Sequence, residues 1–371
     1  MDSILLILVL SMAFYNGAND VSKGVATLHG SGLCGCRGAL LWGTVWTVAG
    51  GLTAVFIASG LIKVFSKGIV ANDLNLTVNF SMAVAIGVSV WVLLSTRTGM
   101  PVSTTHSIVG AILGPVLLSF GPSKILWQSL GYKIVIPLLL SPFAALLITA
   151  VFYRAGYSLL SGFSRYCLCF ETKTNDCCVA EGEGQLAAGC VDTAPSAVAG
   201  TVEECARDLA SSVRMEVNDI VHWISSGLIS FARALNDTPK IAAVLFASAA
   251  FTGGGVKSVF FLATLAMGLG SYFMGRRVTE TLSKKITSMD RHDSVIANLS
   301  TAFLVVLASR FGMPVSTTHV SGGSIIGIGL KRIDGSFNKK VVSEMLLAWV
   351  VTLPAAGLIS GIAYMVLNHI V

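Results

Sequence analysis

The stretch Gly99-Met100-Pro101-Val102-Ser103-Thr104-Thr105-His106 returns letter for letter as Gly312-Met313-Pro314-Val315-Ser316-Thr317-Thr318-His319. Three adjacent hydroxyl residues stand here between strongly apolar runs. Gly and Pro interrupt a helix, because Pro lacks an N–H and restricts the residue before it. The runs that follow, HSIVGAILG and HVSGGSIIGIGL, resume an apolar helical pattern. Each phrase therefore reads as a helix that begins inside an oily segment. A helix start carries free N–H groups and a partial positive charge, which suits an anion, and hydroxyls add donors. Ser103–Thr105 and Ser316–Thr318 are candidate halves of one oxyanion cradle. The competing reading is that these hydroxyls bond back to the preceding turn of their own helix. Two identical copies weigh against it.

The surroundings are those of a membrane protein. Of 371 residues, 54% are hydrophobic and 12% charged, about half the charge of an average soluble domain. Mean hydropathy is +0.77. Apolar segments lie near 3–28, 38–62, 79–96, 101–119 and 125–160, then near 215–253, 256–275, 294–309, 314–330 and 340–369. The start, MDSILLILVLSMAFYNGAND, lacks a basic n-region and a small-residue cleavage site, so it reads as a first membrane segment. A net charge of +6 without basic runs interleaved with aromatics excludes a nucleic-acid-binding surface.

A second motif is also written twice. Gly17-Ala18-Asn19-Asp20 answers to Ala234-Leu235-Asn236-Asp237, and each Asp precedes a lysine by three residues, Lys23 and Lys240. This pair is offset by 217 residues and the GMPVSTTH pair by 213, in the same order. That is the signature of duplication. The expected fold is an all-α polytopic membrane protein, an inverted-topology repeat of two five-to-six-segment halves with broken or re-entrant helices. The expected units are an N-terminal repeat over 1–160, a linker over 161–213 and a C-terminal repeat over 214–371. Opposite topology of the halves with both termini outside puts Arg37, Arg97, Arg154, Arg276 and Arg277 on the inner side. It leaves Lys63, Lys67, Lys124, Lys257 and Arg310 outside. The positive-inside bias favours that orientation in the cell membrane, with the central loop cytoplasmic.

A carboxylate in a bilayer costs about 2.5–3.5 kcal/mol on insertion scales. Two in related places imply a use for Asp20 and Asp237. They are candidates to bind a coupling cation together with Asn19 and Asn236, to accept the proton of a protonated oxyanion, or to relay a proton. The competing reading is an interfacial Asp paired with the lysine one turn on. Lys23, Lys240, His106, His319, Arg97 and Arg310 flank the motifs and are candidates to stand behind the site and tune it; packing for the histidines and snorkelling to the interface for the arginines are the competing readings.

GANDVSKGVAT, ALNDTPKIAAV and the two PVSTTH segments together resemble the signatures of the inorganic phosphate transporter family. The resemblance covers both membrane halves, all but 161–213. It implies secondary active uptake of inorganic phosphate by Na⁺ or H⁺ symport, alternating access and a homodimer, with no enzymatic activity and no cofactor beyond the coupling ion. Carried over residue by residue, the phosphate site falls on Asp20, Ser103, Thr104, Thr105, Asp237, Ser316, Thr317 and Thr318. Asn19 and Asn236 stand beside it as cation ligands. The repeats depart from each other after the Asp, SKG against TPK. The family also includes sulfate permeases. A buried carboxylate accepts a hydrogen bond from protonated phosphate and repels a bare dianion, which favours phosphate.

Six of the eight cysteines fall in the linker, Cys167, Cys169, Cys177, Cys178, Cys190 and Cys205. Cys167, Cys169, Cys177 and Cys178 are candidate thiolate ligands for zinc or an iron–sulfur cluster. Their spacing matches no standard template, and the competing reading is a variable, partly disordered linker. A membrane-bound thiol or metal sensor is the alternative function that this loop would carry. Cys34 and Cys36 in GLCGCRG read as part of a tight loop.

Overall fold

The computed structural model describes residues 2–58, 60–71, 73–74, 76–163, 165–173, 194–201, 213–247, 255–286, 290–330 and 339–370. The first half comprises α1 (Asp2–Gly30), α2 (Cys36–Ile57), α3 (Gly60–Lys67), α4 (Val78–Thr98), α5 (Thr104–Ser119), α6 (Trp127–Leu130) and α7 (Ile136–Phe163). The second comprises α8 (Val217–Ala247), α9 (Val256–Met274), α10 (Arg276–Ile286), α11 (Arg291–Arg310), α12 (Thr317–Gly329) and α13 (Lys339–Ile370). A π turn, Gly131–Val135, joins α6 to α7. Among the described residues, seven helical runs are long and apolar enough to cross a membrane. α8 is not one of them: Asp219, Arg233, Asp237 and Lys240 interrupt its 31 residues. The chain is an all-α polytopic membrane fold.

The Gly-Met-Pro phrase breaks the helix as its residues dictate. Gly99 ends α4 in the left-handed region at φ 76°, its N–H donating to the Ser95 and Thr96 carbonyls. This is the glycine stop that a Cβ would strain. Pro101 and Val102 continue outside any helix, and Ser103 caps α5, its Oγ accepting the His106 N–H. The second copy repeats each step. Gly312 sits at φ 65°, Met313 N–H donates to the Ala308 carbonyl, and Ser316 caps α12 by accepting the His319 N–H. α5 and α12 have 16 and 13 residues. At 1.5 Å per residue neither spans a hydrocarbon core of about 30 Å.

Packing exchanges elements between the halves. α5 lies against α13 and α12 lies against α7. In the same way α1 packs on α9 and α2 on α8. The seams are built for close backbone approach. A Cβ on Gly110 would overlap the Leu353 carbonyl, and one on Gly323 the Pro142 carbonyl. The two glycines are offset by 213 residues, as the GMPVSTTH motifs are. Small residues at such crossings let van der Waals contact hold helices in lipid.

Three features differ from the sequence expectation. The segment read as 38–62 ends at Ile57, and α3 follows as a separate short helix whose apolar side turns Leu61 and Phe65 inward. α10 lies between α9 and α11, with Arg276, Arg277, Lys284 and Lys285 at its two ends. Among its described residues the linker carries strands: β1 (Tyr166–Lys173), β2 (Ala194–Thr201) and β3 (Val213–Glu216) form an antiparallel sheet in the order β2-β1-β3. β1 is central, with Cys167 opposite Gly200 on one side and Glu216 on the other. The helices on either side stop at Phe163 and resume at Val217, so both ends of the insertion lie about three residues further along the chain than the expected 161–213.

Candidate functional site

Both polar motifs come together in the interior. Asn16, Asn19, Asp20 and Lys23 project from α1 at helical spacing, and Arg233, Asn236, Asp237 and Lys240 project from α8. All eight are at most 7% exposed. They face the starts of α5 and α12, where Ser103, Thr104, Thr105, Ser316, Thr317 and Thr318 are 1–4% exposed. The eight residues expected to hold phosphate therefore form one buried cluster.

The cluster is cross-braced between halves. Lys23 Nζ donates to Asp20 Oδ1 (2.6 Å), to the Val102 carbonyl (3.3 Å) and to Thr317 Oγ1 (3.4 Å). Lys240 Nζ donates to Asp237 Oδ1 (3.2 Å), to the Val315 carbonyl (2.9 Å) and to Thr105 Oγ1 (2.7 Å). Thr105 Oγ1 donates to the Val315 carbonyl (3.1 Å), and Thr318 Oγ1 donates to the Val102 carbonyl (2.9 Å). Three of these roles recur with the halves exchanged; the threonines that meet the lysines do not correspond, since Thr317 answers to Thr104 and Thr105 to Thr318. Each valine carbonyl lies in the helix break, where no helical N–H reaches it, so a partner from the other half satisfies it.

The aspartates are paired with lysines, as the competing reading held, but not at an interface. Both ion pairs lie in the protein interior, with side chains at most 2% exposed. Asp20 Oδ2 also accepts from Thr317 Oγ1 (3.5 Å). Asp237 accepts from Asn16 Nδ2 (3.3 Å) and Asn236 Nδ2 (3.1 Å) as well.

The asparagines brace the breaks. Asn19 Nδ2 donates to Thr96 Oγ1 (3.2 Å) and the Met100 carbonyl (2.9 Å), while its Oδ1 accepts the Val102 N–H (3.1 Å). Asn236 Nδ2 reaches the Val315 carbonyl (3.1 Å), and its Oδ1 accepts from Ser309 Oγ (3.3 Å). The His106 and His319 rings lie tilted to each other, 4.4 Å between centroids, and Trp349 stacks on His319 at 3.7 Å. Ser103 Oγ is hydrogen-bonded to His106 Nδ1 (2.8 Å). The histidines thus lie on the flank of the cluster. Arg97 and Arg310 are exposed at the ends of α4 and α11 and stand apart from it.

Sequence reasoning missed two members. Asn16 donates to Thr104 Oγ1 (2.8 Å) besides Asp237. Arg233 is fully buried, and its Nη2 donates to Thr47 Oγ1 (2.5 Å) and Ser271 Oγ (3.0 Å). Its Nε and Nη1 have no hydrogen-bond partner among the described residues. Arg233 also interacts electrostatically with both Asp20 and Asp237. The 217-residue offset that aligns the aspartates also aligns Asn16 with Arg233, each one turn before its Asp. That alignment was the available signal.

The comparisons with known proteins decide the family. The model of the phosphate transporter family matches residues 16–360. The chain belongs to that family. Like its other members, this phosphate transporter is a membrane permease and not an enzyme. It is 29% identical to "Putative phosphate permease PF1020" of Pyrococcus furiosus, over 98% of this chain and 96% of that one. It is 26% identical to the "Probable low-affinity inorganic phosphate transporter" of Mycobacterium tuberculosis strain H37Rv, over 99% of this chain and 78% of the relative. A solved structure titled "The sodium-dependent phosphate transporter" superposes with a TM-score of 0.75 at 24% identity, covering 100% of this chain and 99% of that one. At that identity the likeness speaks for the fold.

The cysteines stand apart from the site. Cys167 is buried and disulfide-bonded, and a disulfide sulfur is not a thiolate ligand. Cys169 sits two positions further along β1. Cys177 and Cys178 lie outside the described residues. Among the described residues, no group of three or more His, Cys, Asp or Glu is placed to hold a metal. Cys34 is unpaired in the loop before α2, and burial, followed by the neighbouring Cys36, pushes its thiol up, away from reactivity.

Proposed function

We propose that this chain is a secondary transporter of inorganic phosphate that works by cation symport and alternating access. The observation that carries the reading is the cross-bracing of two helix starts around one buried cluster. In the first turns of α5 and α12 the Ser103 and Ser316 caps take the His106 and His319 N–H groups, and the Thr104, Thr105, Thr317 and Thr318 N–H groups at these positive helix ends have no partner four residues back in the helix. Phosphate would be held by Ser103, Thr104, Thr105, Ser316, Thr317 and Thr318 together with those N–H groups. Asp20 and Asp237 would accept hydrogen bonds from a protonated anion, which favours phosphate over sulfate. Asn19 and Asn236 would hold the breaks in shape beside any coupling cation.

The halves would be related by inverted topology, with the termini outside and the sheet-bearing insertion on the cytoplasmic side. A homodimer in the cell membrane is the expected assembly. The glycine seams Gly110–Leu353 and Gly323–Pro142 support α5 with α13, and α12 with α7, as units that would move as rigid bodies against the α1 and α8 core. Labelled phosphate uptake by the purified protein in proteoliposomes tests the reading. Saturable, gradient-dependent uptake is expected. Intact protein that shows no such uptake contradicts it, and uptake abolished by excess sulfate and unaffected by competing phosphate would assign another oxyanion.

A further inference from the structure

The two ammonium groups at the centre of the site raise a question of charge. Lys23 Nζ and Lys240 Nζ each touch one carboxylate oxygen, one carbonyl freed by a helix break and one threonine hydroxyl. An ammonium has three donors and no acceptor, so each is matched to three oxygens. Carboxylate, freed carbonyl and hydroxyl are also the oxygen donors that a hard cation takes in a carrier of this architecture. A Na⁺ ion seated on those oxygens would stand against a fixed positive charge. The fixed charges already exceed neutrality: Lys23, Lys240 and Arg233 oppose Asp20 and Asp237, and all five are buried. In a medium of low dielectric, further cations raise that imbalance, while a single monoanion removes it.

We propose that Lys23 and Lys240 are tethered counter-cations, occupying the places where a transported alkali cation would neutralise Asp20 and Asp237. This carrier therefore moves phosphate as its protonated monoanion, independently of Na⁺. The inference rests on the reading of the chain as a phosphate carrier and specifies its coupling. The coupling proton travels on the anion, which supplies the O–H that a carboxylate oxygen accepts. The titratable and charged groups around the site are Asp20 and Lys23 on α1, Arg233, Asp237 and Lys240 on α8, His106 on α5 and His319 on α12. The two lysines act on the cation requirement through the carboxylates and are positioning residues in that sense.

The test uses the full chain in proteoliposomes, with labelled inorganic phosphate and either sodium or choline chloride outside at one fixed pH gradient. The expected result is equal uptake in the two salts, and stimulation in choline by an acid exterior. Binding of labelled Na⁺ to the detergent-purified protein should be non-saturable. In the double variant Lys23→Asn with Lys240→Asn, uptake should become sodium-stimulated, on the order of tenfold, within the range of coupling between linked sites. Saturable Na⁺ binding should appear with it. Wild-type uptake that needs Na⁺, or saturable Na⁺ binding by the wild type, overturns the proposal, and neither readout depends on the variant folding. A folded double variant that remains indifferent to Na⁺ also overturns it. Absence of phosphate uptake in every medium is a different failure, because it removes the transport reading beneath the proposal.

Discussion

The two copies of the site agree at the lysines and at the freed valine carbonyls, and differ one turn before the aspartates. Lys23 and Lys240 make the same three kinds of contact, and Thr105 and Thr318 cap the opposite valine carbonyl in the same way. One turn before each aspartate the symmetry ends. Asn16 reaches across to Asp237 and Thr104, whereas Arg233 turns to Thr47 and Ser271 and keeps Nε and Nη1 without a hydrogen-bond partner among the described residues. Asp237 therefore accepts from three side chains and Asp20 from two. Shared contacts mark what both halves must do to one ligand. The difference assigns the second half most of the charge.

The largest expected effect breaks the comparison at the carboxylates. Removing one partner of a buried ion pair costs about 3–5 kcal/mol, because the other charge is left uncompensated. Asp237→Asn leaves both Lys240 and Arg233 exposed to that penalty, and Asp20→Asn leaves Lys23. Coupled uptake should be lost in both, with Asp237→Asn the less thermostable protein by thermal unfolding in detergent. Near-normal uptake by both variants would remove the carboxylates from the mechanism.

Arg233→Asn makes the second half resemble the first. Arg233 is the buried positive charge that exceeds the two carboxylates, so its loss should lower phosphate affinity roughly tenfold through charge alone. Removing a half-paired buried guanidinium should leave thermal stability unchanged or raised. Loss of stability with unchanged affinity would show that Arg233 only holds α8 to α2 and α9.

The glycine seams should respond alike. Gly110→Val and Gly323→Val each force a side chain into a backbone carbonyl, at a cost of about 1–3 kcal/mol for overpacking. Melting temperatures lowered by similar amounts are expected, and a shift in one variant alone would break the equivalence of the two half-helix seats. The smallest effect belongs to the caps. Ser103→Ala and Ser316→Ala each lose an N-cap, typically about 1 kcal/mol. Ser103→Ala should cost slightly more, since Ser103 also bonds His106, and the same unfolding measurement checks this.

Much of this arrangement was legible in the chain. Gly-Met-Pro marked the breaks at 99–101 and 312–314, because neither Gly nor Pro favours a helix interior. The repeat of an intramembrane Asp marked α1 and α8. Arg233 was legible only through the 217-residue offset that sets it opposite Asn16, because ISFARALND by itself reads equally well as the edge of a membrane segment, and only the opposite half supplies the Thr47 that receives its guanidinium. Asn16 had the same difficulty: an asparagine one turn from an Asp says nothing of the helix it faces across the bundle. The sheet was missed for another reason. Cys167, Cys169 and Glu171 alternate with Leu168 and Phe170 in a strand pattern, but their thiols invited a metal reading.

The central claim is that both halves hold a single oxyanion between them. Binding of labelled phosphate to the purified protein tests it most directly, in the wild type and in Thr105→Val and Thr318→Val. One phosphate per chain, with affinity lost in either variant alone, is the result expected of a shared cluster. Two phosphates per chain, or undiminished binding in either variant, would contradict it.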